Sequence, residues 1–205
     1  FKRAVTRADR DALDELFKSP ELQAITLPEA VIDQALQQAS ARPVINELVS
    51  QADEFAAAGR GLSELALRSA DDKPGIPERA RTDLDRGEAI LRAALSLSTE
   101  YSEDAARAAH LLGVIYESRG LSLFYEPQAQ KHFEKAREFF TYAVRMDPQN
   151  VSAKRSQARL QELENTRRAL PEGAARLAGI DLPVILDAAS RRARASVPPE
   201  RRLLS

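Results

Sequence analysis

The chain has no cysteine and no tryptophan, a single methionine, two histidines and 8 glycines in 205 residues. Without cysteine there is no disulfide framework, no thiolate ligand for zinc or an iron–sulfur cluster, and no thiol nucleophile. The same absence suits cytoplasm and periplasm equally. His110 and His132 stand 22 residues apart, outside any His-x3-His or Glu-x-x-His spacing, so no metal site is expected. Gly-rich phosphate loops, Gly-x-Ser-x-Gly elbows and dinucleotide fingerprints are missing, and neither a cofactor nor a catalytic residue is expected. No run of about 18 apolar residues reaches the length of a membrane span. The chain starts at Phe1 and not at methionine, as a chain would after loss of a signal peptide, an anchor or an upstream domain, and it is read as soluble.

What is abundant is helix-forming. Alanine accounts for 35 residues, with leucine, glutamate, glutamine and arginine frequent, while β-branched and aromatic residues do not recur at period two. An all-α fold follows. The length suffices for one compact domain or two small ones without covalent staples. Arginine outnumbers lysine 24 to 6, a bias expected of GC-rich, bacterial coding. Charge is uneven: residues 1–150 carry 19 basic and 25 acidic side chains, whereas 151–205 carry 11 basic and 6 acidic. The last quarter is a basic arm on an otherwise acidic chain.

Capping and breaking residues divide the chain into about ten helices. A helix over 6–18 is stopped by Ser19-Pro20, and Thr26-Leu27-Pro28-Glu29 opens another over 27–41. Pro43 begins a third, which Gly59-Arg60-Gly61 is expected to end, and a short helix covers 62–69. Two prolines and a glycine in "DDKPGIP" mark a linker at 71–76 between an N-terminal segment, 1–70, and a helical array over 77–169. Within the array the expected helices are 77–98, 103–119, 127–147 and 151–169. Residues 170–205 form the basic C-terminal unit, with helices at 172–178 and 182–195 and an extended tail. Eight of the eleven aromatic residues fall between Tyr101 and Tyr142, so the densest core is expected there.

Two segments carry the most specific pattern. Leu112, Gly113 and Tyr116 share one helical face, and a mid-helix glycine costs roughly 1 kcal/mol against alanine unless a neighbour needs the space. Ala136, Phe140 and Ala143 form a second stripe, small residues on either side of a large one. Asp147-Pro148 ends that helix and Asn150 is placed to cap the next. Together with Gly120 ending the first helix, this order resembles the tetratricopeptide repeat, Leu-Gly-x2-Tyr on one helix and Ala-x3-Phe-x2-Ala-x4-Pro on the next. Two departures stand out: Ala109 occupies the position of the family's tryptophan, and 20 residues separate Tyr116 from Ala136 where the family uses 9. Gly87, Leu91, Ala94 and Thr99 repeat the second-helix spacing in degenerate form. Helix 151–169, rich in Lys154, Arg155, Arg159 and Arg167, is expected to close the stack as a solvated helix.

The resemblance implies a groove, lined by the first helix of each pair, that holds a peptide or a partner helix. Its lining here is expected to be Arg107, His110, Val114 and Glu117, continued by Arg155, Arg159 and Glu162 on the following helix. Two further candidates come from the residues themselves. Leu121, Leu123, Phe124 and Tyr125 place apolar side chains where a surface turn is expected, either as a docking knob, or folded back over the bundle end, or extending a helix. Arg191, Arg192, Arg194, Arg201 and Arg202 form a basic arm suited to an acidic protein surface. It lacks the interleaved aromatics of a nucleic-acid reader, and membrane contact is expected only through a partner or a removed anchor. The sequence therefore reads as a non-enzymatic adaptor, or a subunit of a larger assembly, that binds an acidic peptide or surface. A second reading is an accessory or regulatory domain of a longer chain; binding to an anionic surface or nucleic acid ranks behind both.

Overall fold

Helical periods of alanine and leucine become seven α-helices in the computed structural model, which describes residues 18, 20, 25–38, 40–68, 78–98, 102–124, 126–169 and 182–197. They are α1 (Glu29–Gln38), α2 (Arg42–Arg68), α3 (Glu78–Leu97), α4 (Ser102–Ser122), α5 (Ala129–Met146), α6 (Val151–Ala169) and α7 (Leu182–Ser196). Among the described residues there is no strand, and the protein is all-α. The helices expected at 6–18 and 172–178 lie outside the described residues.

Contacts between named residues fix the arrangement. Gly59 of α2 meets Leu84 of α3 while Gly87 of α3 meets Phe55 of α2, so these two helices run antiparallel. The same holds for α4 and α5, where Gly113 faces Phe140 and Gly120 faces Phe133. Arg42 reaches Asp104 and Arg107 reaches Asn46, which sets α2 parallel to α4. His110 with Ser156 and Glu117 with Arg159 set α4 parallel to α6. The result is two layers, with α2, α4 and α6 in one and α3 and α5 in the other.

Helix α4 is the centre of the molecule. From Asp104 to Ser122 it buries side chains around most of its circumference, including Ala105, Ala106, Ala108, Ala109, Leu112 and Ile115, because four alanines let its neighbours approach closely, while Arg107 stays exposed. One hydrophobic cluster joins Ile45, Leu48 and Ala52 of α2 to Leu84 and Leu91 of α3 and Leu112 and Ile115 of α4. A second joins Val114 and Tyr116 to Phe133, Phe140, Leu160 and Leu163. The expected linker at 71–76 lies outside the described residues, but the first cluster extends across it, from Ala35 to Ile115.

Two expected helix ends are corrected. Helix α2 continues through Gly59-Arg60-Gly61 to Arg68. A Cβ on Gly59 would stand 2.6 Å from Leu84 Cδ2, so this glycine makes room for a neighbour instead of turning the chain. Helix α4 likewise passes through Gly120 and ends at Ser122, with Phe133 packed over the glycine. Asn150 caps α6 as expected, its Oδ1 accepting from the Ala153 N–H at 2.9 Å.

Candidate partner-binding face

The outer face of the α2–α4–α6 layer is built from stripes of side chains at helical spacing. Asn46, Asp53 and Arg60 recur every seven residues along α2, all exposed. Arg107 lies beside them, its Nη1 3.4 Å from Asn46 Oδ1. Sequence reasoning named Arg107 but missed the α2 stripe, because residues 1–70 show no repeat signature. The seven-residue recurrence of polar groups at 46, 53 and 60 was the available signal.

Further along the layer the expected open groove is covered. Val114 is buried in the second cluster, since α6 brings Leu160 and Leu163 against this part of the bundle. Glu117 is 2% exposed and accepts from Arg159 Nε at 3.0 Å, with Arg159 Nη2 on its other oxygen. The two residues expected to line a groove instead make a charge-assisted bridge between α4 and α6. His110 is partly buried: its Nε2 is 3.0 Å from Ser156 Oγ and its ring centroid 5.8 Å from that of Phe140. Burial first, and then the positive charge of Arg159, brings its pKa down to about 4, Asp53 opposing and Arg60 reinforcing the shift. The imidazole is therefore neutral at pH 7.

Helix α6 is not the solvated closing helix the sequence suggested, because α7 packs antiparallel along it. Arg155 Nε donates to the Val197 carbonyl at 2.9 Å, and Arg192 Nη1 lies 2.9 Å from Glu162 Oε2. Ala189 and Ala193 of α7 are buried, while Ile185 and Leu186 are partly buried against the second cluster. Helix α7 also reaches α2, so it crosses the layer from α6 to α2. Arg155 and Glu162 of the expected groove lining thus both contact the chain's own α7. Beside its C-terminal end lies an open cleft of about 470 Å³ bordered by Arg137, Lys154, Gln161 and Val197.

The other candidates change character. Leu121 and Phe124 are buried and Leu123 is partly buried, so this segment closes the bundle end and offers no docking knob; Tyr125 lies outside the described residues. Arg167 fastens that turn, donating to the Phe124 carbonyl at 3.0 Å and the Glu126 carbonyl at 3.1 Å. Of the basic arm, Arg191 pairs with Asp187 within α7, Arg192 pairs with Glu162 and Arg194 is exposed. Arg201 and Arg202 lie outside the described residues.

A polar cluster on the opposite side of α4 also went unpredicted. Glu88 of α3 accepts from Tyr116 Oη at 2.5 Å and from Arg92 and Arg119, and Arg119 also reaches Asp85 at 2.6 Å. Burial pushes the Glu88 carboxyl up, but the bonds from Tyr116, Arg119 and Arg92 outweigh it and bring the pKa to about 2. Every group here is partnered within the fold, and the cluster ties α3 to α4.

Among the described residues no group of three or more His, Asp or Glu is placed to hold a metal, and no helix is long and apolar enough to cross a membrane. No protein-family profile, curated protein or solved structure matches the chain. What the fold defines is an all-α protein of antiparallel helix pairs stacked in two layers.

Proposed function

We propose that the chain is a non-enzymatic protein-interaction adaptor, or a subunit of a larger assembly, in which α2 to α6 form a tetratricopeptide-like array. A partner binds on the outer face of the α2–α4–α6 layer. One observation supports this reading above the rest: that layer already seats a helix, α7, held by side chains the repeat pattern assigns to the groove, Arg155 and Glu162. The parallel run of α2, α4 and α6, and the small residues where helices meet, support the same reading. The partner contacts the part of the layer that α2 and the first half of α4 leave exposed, where Asp53, Arg60 and Arg107 offer charges of both signs.

Display selection of helical peptides against the full chain tests this. Enriched peptides should lose binding to an Asp53→Lys/Arg60→Glu variant and keep it with Glu138→Lys, an exchange on an exposed face of α5 away from the layer. Selected peptides that bind the α2 variant as well as the wild type would overturn the reading.

A further inference from the structure

We propose that α7 is a resident ligand of its own array: it holds the seat on α6 that an amphipathic helix of another protein takes, and the two compete. The inference rests on the adaptor reading and adds the chemistry of the partner. Its motivation is the contrast between α7 and the other helices. Helix α5 inserts Phe133 and Phe140, both fully buried, into the core. Among the side chains described on α7, from Val184 onward, the buried ones are alanines, Ala189 and Ala193, whereas Ile185 and Leu186 are only partly covered and Val184 is 58% exposed. A helix that buries little large apolar surface is held weakly.

The polar contacts point the same way. The Arg192–Glu162 pair is exposed, its side chains 69% and 33% accessible, and exposed pairs contribute little. Arg155 grips the Val197 carbonyl, one of the acceptors that every helix leaves unpaired at its C-terminal end. That grip reads a helix end and not this particular sequence. The seat therefore specifies its occupant by shape and charge: small residues four apart against α6, larger apolar residues one turn earlier, and a basic residue opposite Glu162. A partner helix with that pattern fits as α7 does.

The test uses the full chain and, as probe, a fluorescently labelled peptide of residues 182–197, followed by anisotropy. In the variant Ala189→Arg/Ala193→Arg, α7 is too bulky for its seat, and the probe should bind roughly tenfold tighter or more than to the wild type, because occupied seats lower apparent affinity by the open fraction. Because the chain lacks cysteine, Glu162→Cys/Arg192→Cys gives two unique thiols; bridging them with a short bis-thiol crosslinker should pin α7 and weaken the probe by roughly tenfold against the unbridged form. A probe carrying the two arginines should not bind. Circular dichroism checks that the arginine variant keeps its helices; if it does not, the crosslinked pair decides alone. Equal probe binding with α7 pinned and free, or no binding to any form, would overturn the proposal and make α7 a fixed closing helix. A wild-type mass of two chains by light scattering, reduced to one in the arginine variant, would assign the seat to a second copy and also overturn it. Either result leaves the adaptor reading to the α2 variant, which probes a different part of the layer.

Discussion

Phe140 lies so close over Gly113 that a Cβ on the glycine would stand 2.4 Å from both Cδ1 and Cε1 of the ring. This contact fastens α4 to α5 at the midpoint of the bundle. Ala136 and Ala143 flank Phe140 on its own helix, and all three are buried, so the ring has no free space to move into.

Gly113→Ala should therefore destabilise the protein despite alanine's better helix propensity, and Gly113→Leu should do so more strongly. Overpacking of this kind costs about 1–3 kcal/mol, a fall of about 3–10 °C in Tm for a chain of this size. Gly113→Ala combined with Phe140→Leu should cost less than the sum of the two single changes, since the smaller side chain vacates the space. Thermal melts of the four proteins measure this; strict additivity would mean that the two residues do not touch.

Gly59 and Gly61 should respond in opposite directions although they are two residues apart on α2. Nothing lies within 4 Å of a Cβ at Gly61, so Gly61→Ala should stabilise by about 0.5–1 kcal/mol. Gly59→Ala meets Leu84 at 2.6 Å and should destabilise. Urea midpoints of the two variants decide it, and stabilisation by both would mean that α2 and α3 do not pack at this point.

This pair also shows where sequence reading stops. The helix periods, the Asn150 cap and the need of Gly113 for a close neighbour were legible because each depends on residues within one or two turns, or on a stripe that advertises its own shape; that the neighbour is Phe140 was not. Whether a glycine ends a helix or admits a neighbour depends on what another segment brings, and Leu84 is 25 residues from Gly59. The same limit applies to the groove. Helical spacing put Arg107, His110, Val114 and Glu117 on one face, but could not say that α6 covers half of that face or that α7 covers α6. The apolar run at 121–124 had more than one reading, and the structure selects burial because α5 and Arg167 close over it.

Arg159→Ala should be among the costliest single changes on this face, because it strips the cation from Glu117, which is 2% exposed. Breaking a buried pair from one side costs about 3–5 kcal/mol, whereas replacing both members by apolar residues of similar volume is often close to neutral. Arg159→Met/Glu117→Leu should accordingly be more stable than Arg159→Ala in chemical denaturation. The reverse order would contradict a buried bridge between α4 and α6.

Acid should weaken the fold before the carboxylates titrate. The His110 pKa is lowered from 6.5 to about 4, so the unfolded chain takes up this proton first: the contribution is complete above pH 6.5 and is lost as pH falls towards 4. By pH 5 the loss is about 2 kcal/mol. His132, whose pKa burial also lowers, adds in the same direction. Stability measured at pH 7.5 and pH 5 should differ for the wild type and much less for His110→Gln, in which the glutamine can still reach Ser156. An unchanged difference in the variant would place the histidine in water.

Hydrogen exchange on the isotopically labelled full chain, with and without a saturating amount of unlabelled 182–197 peptide, distinguishes a displaceable α7 from a fixed one. If α7 is a resident ligand, its amides exchange through local opening, about 100-fold or more faster than those of α4 and α5, and the peptide accelerates them further while α6 stays protected. Exchange of α7 only in step with α4, unaffected by the peptide, would rule out a resident ligand and make α7 an integral part of the core.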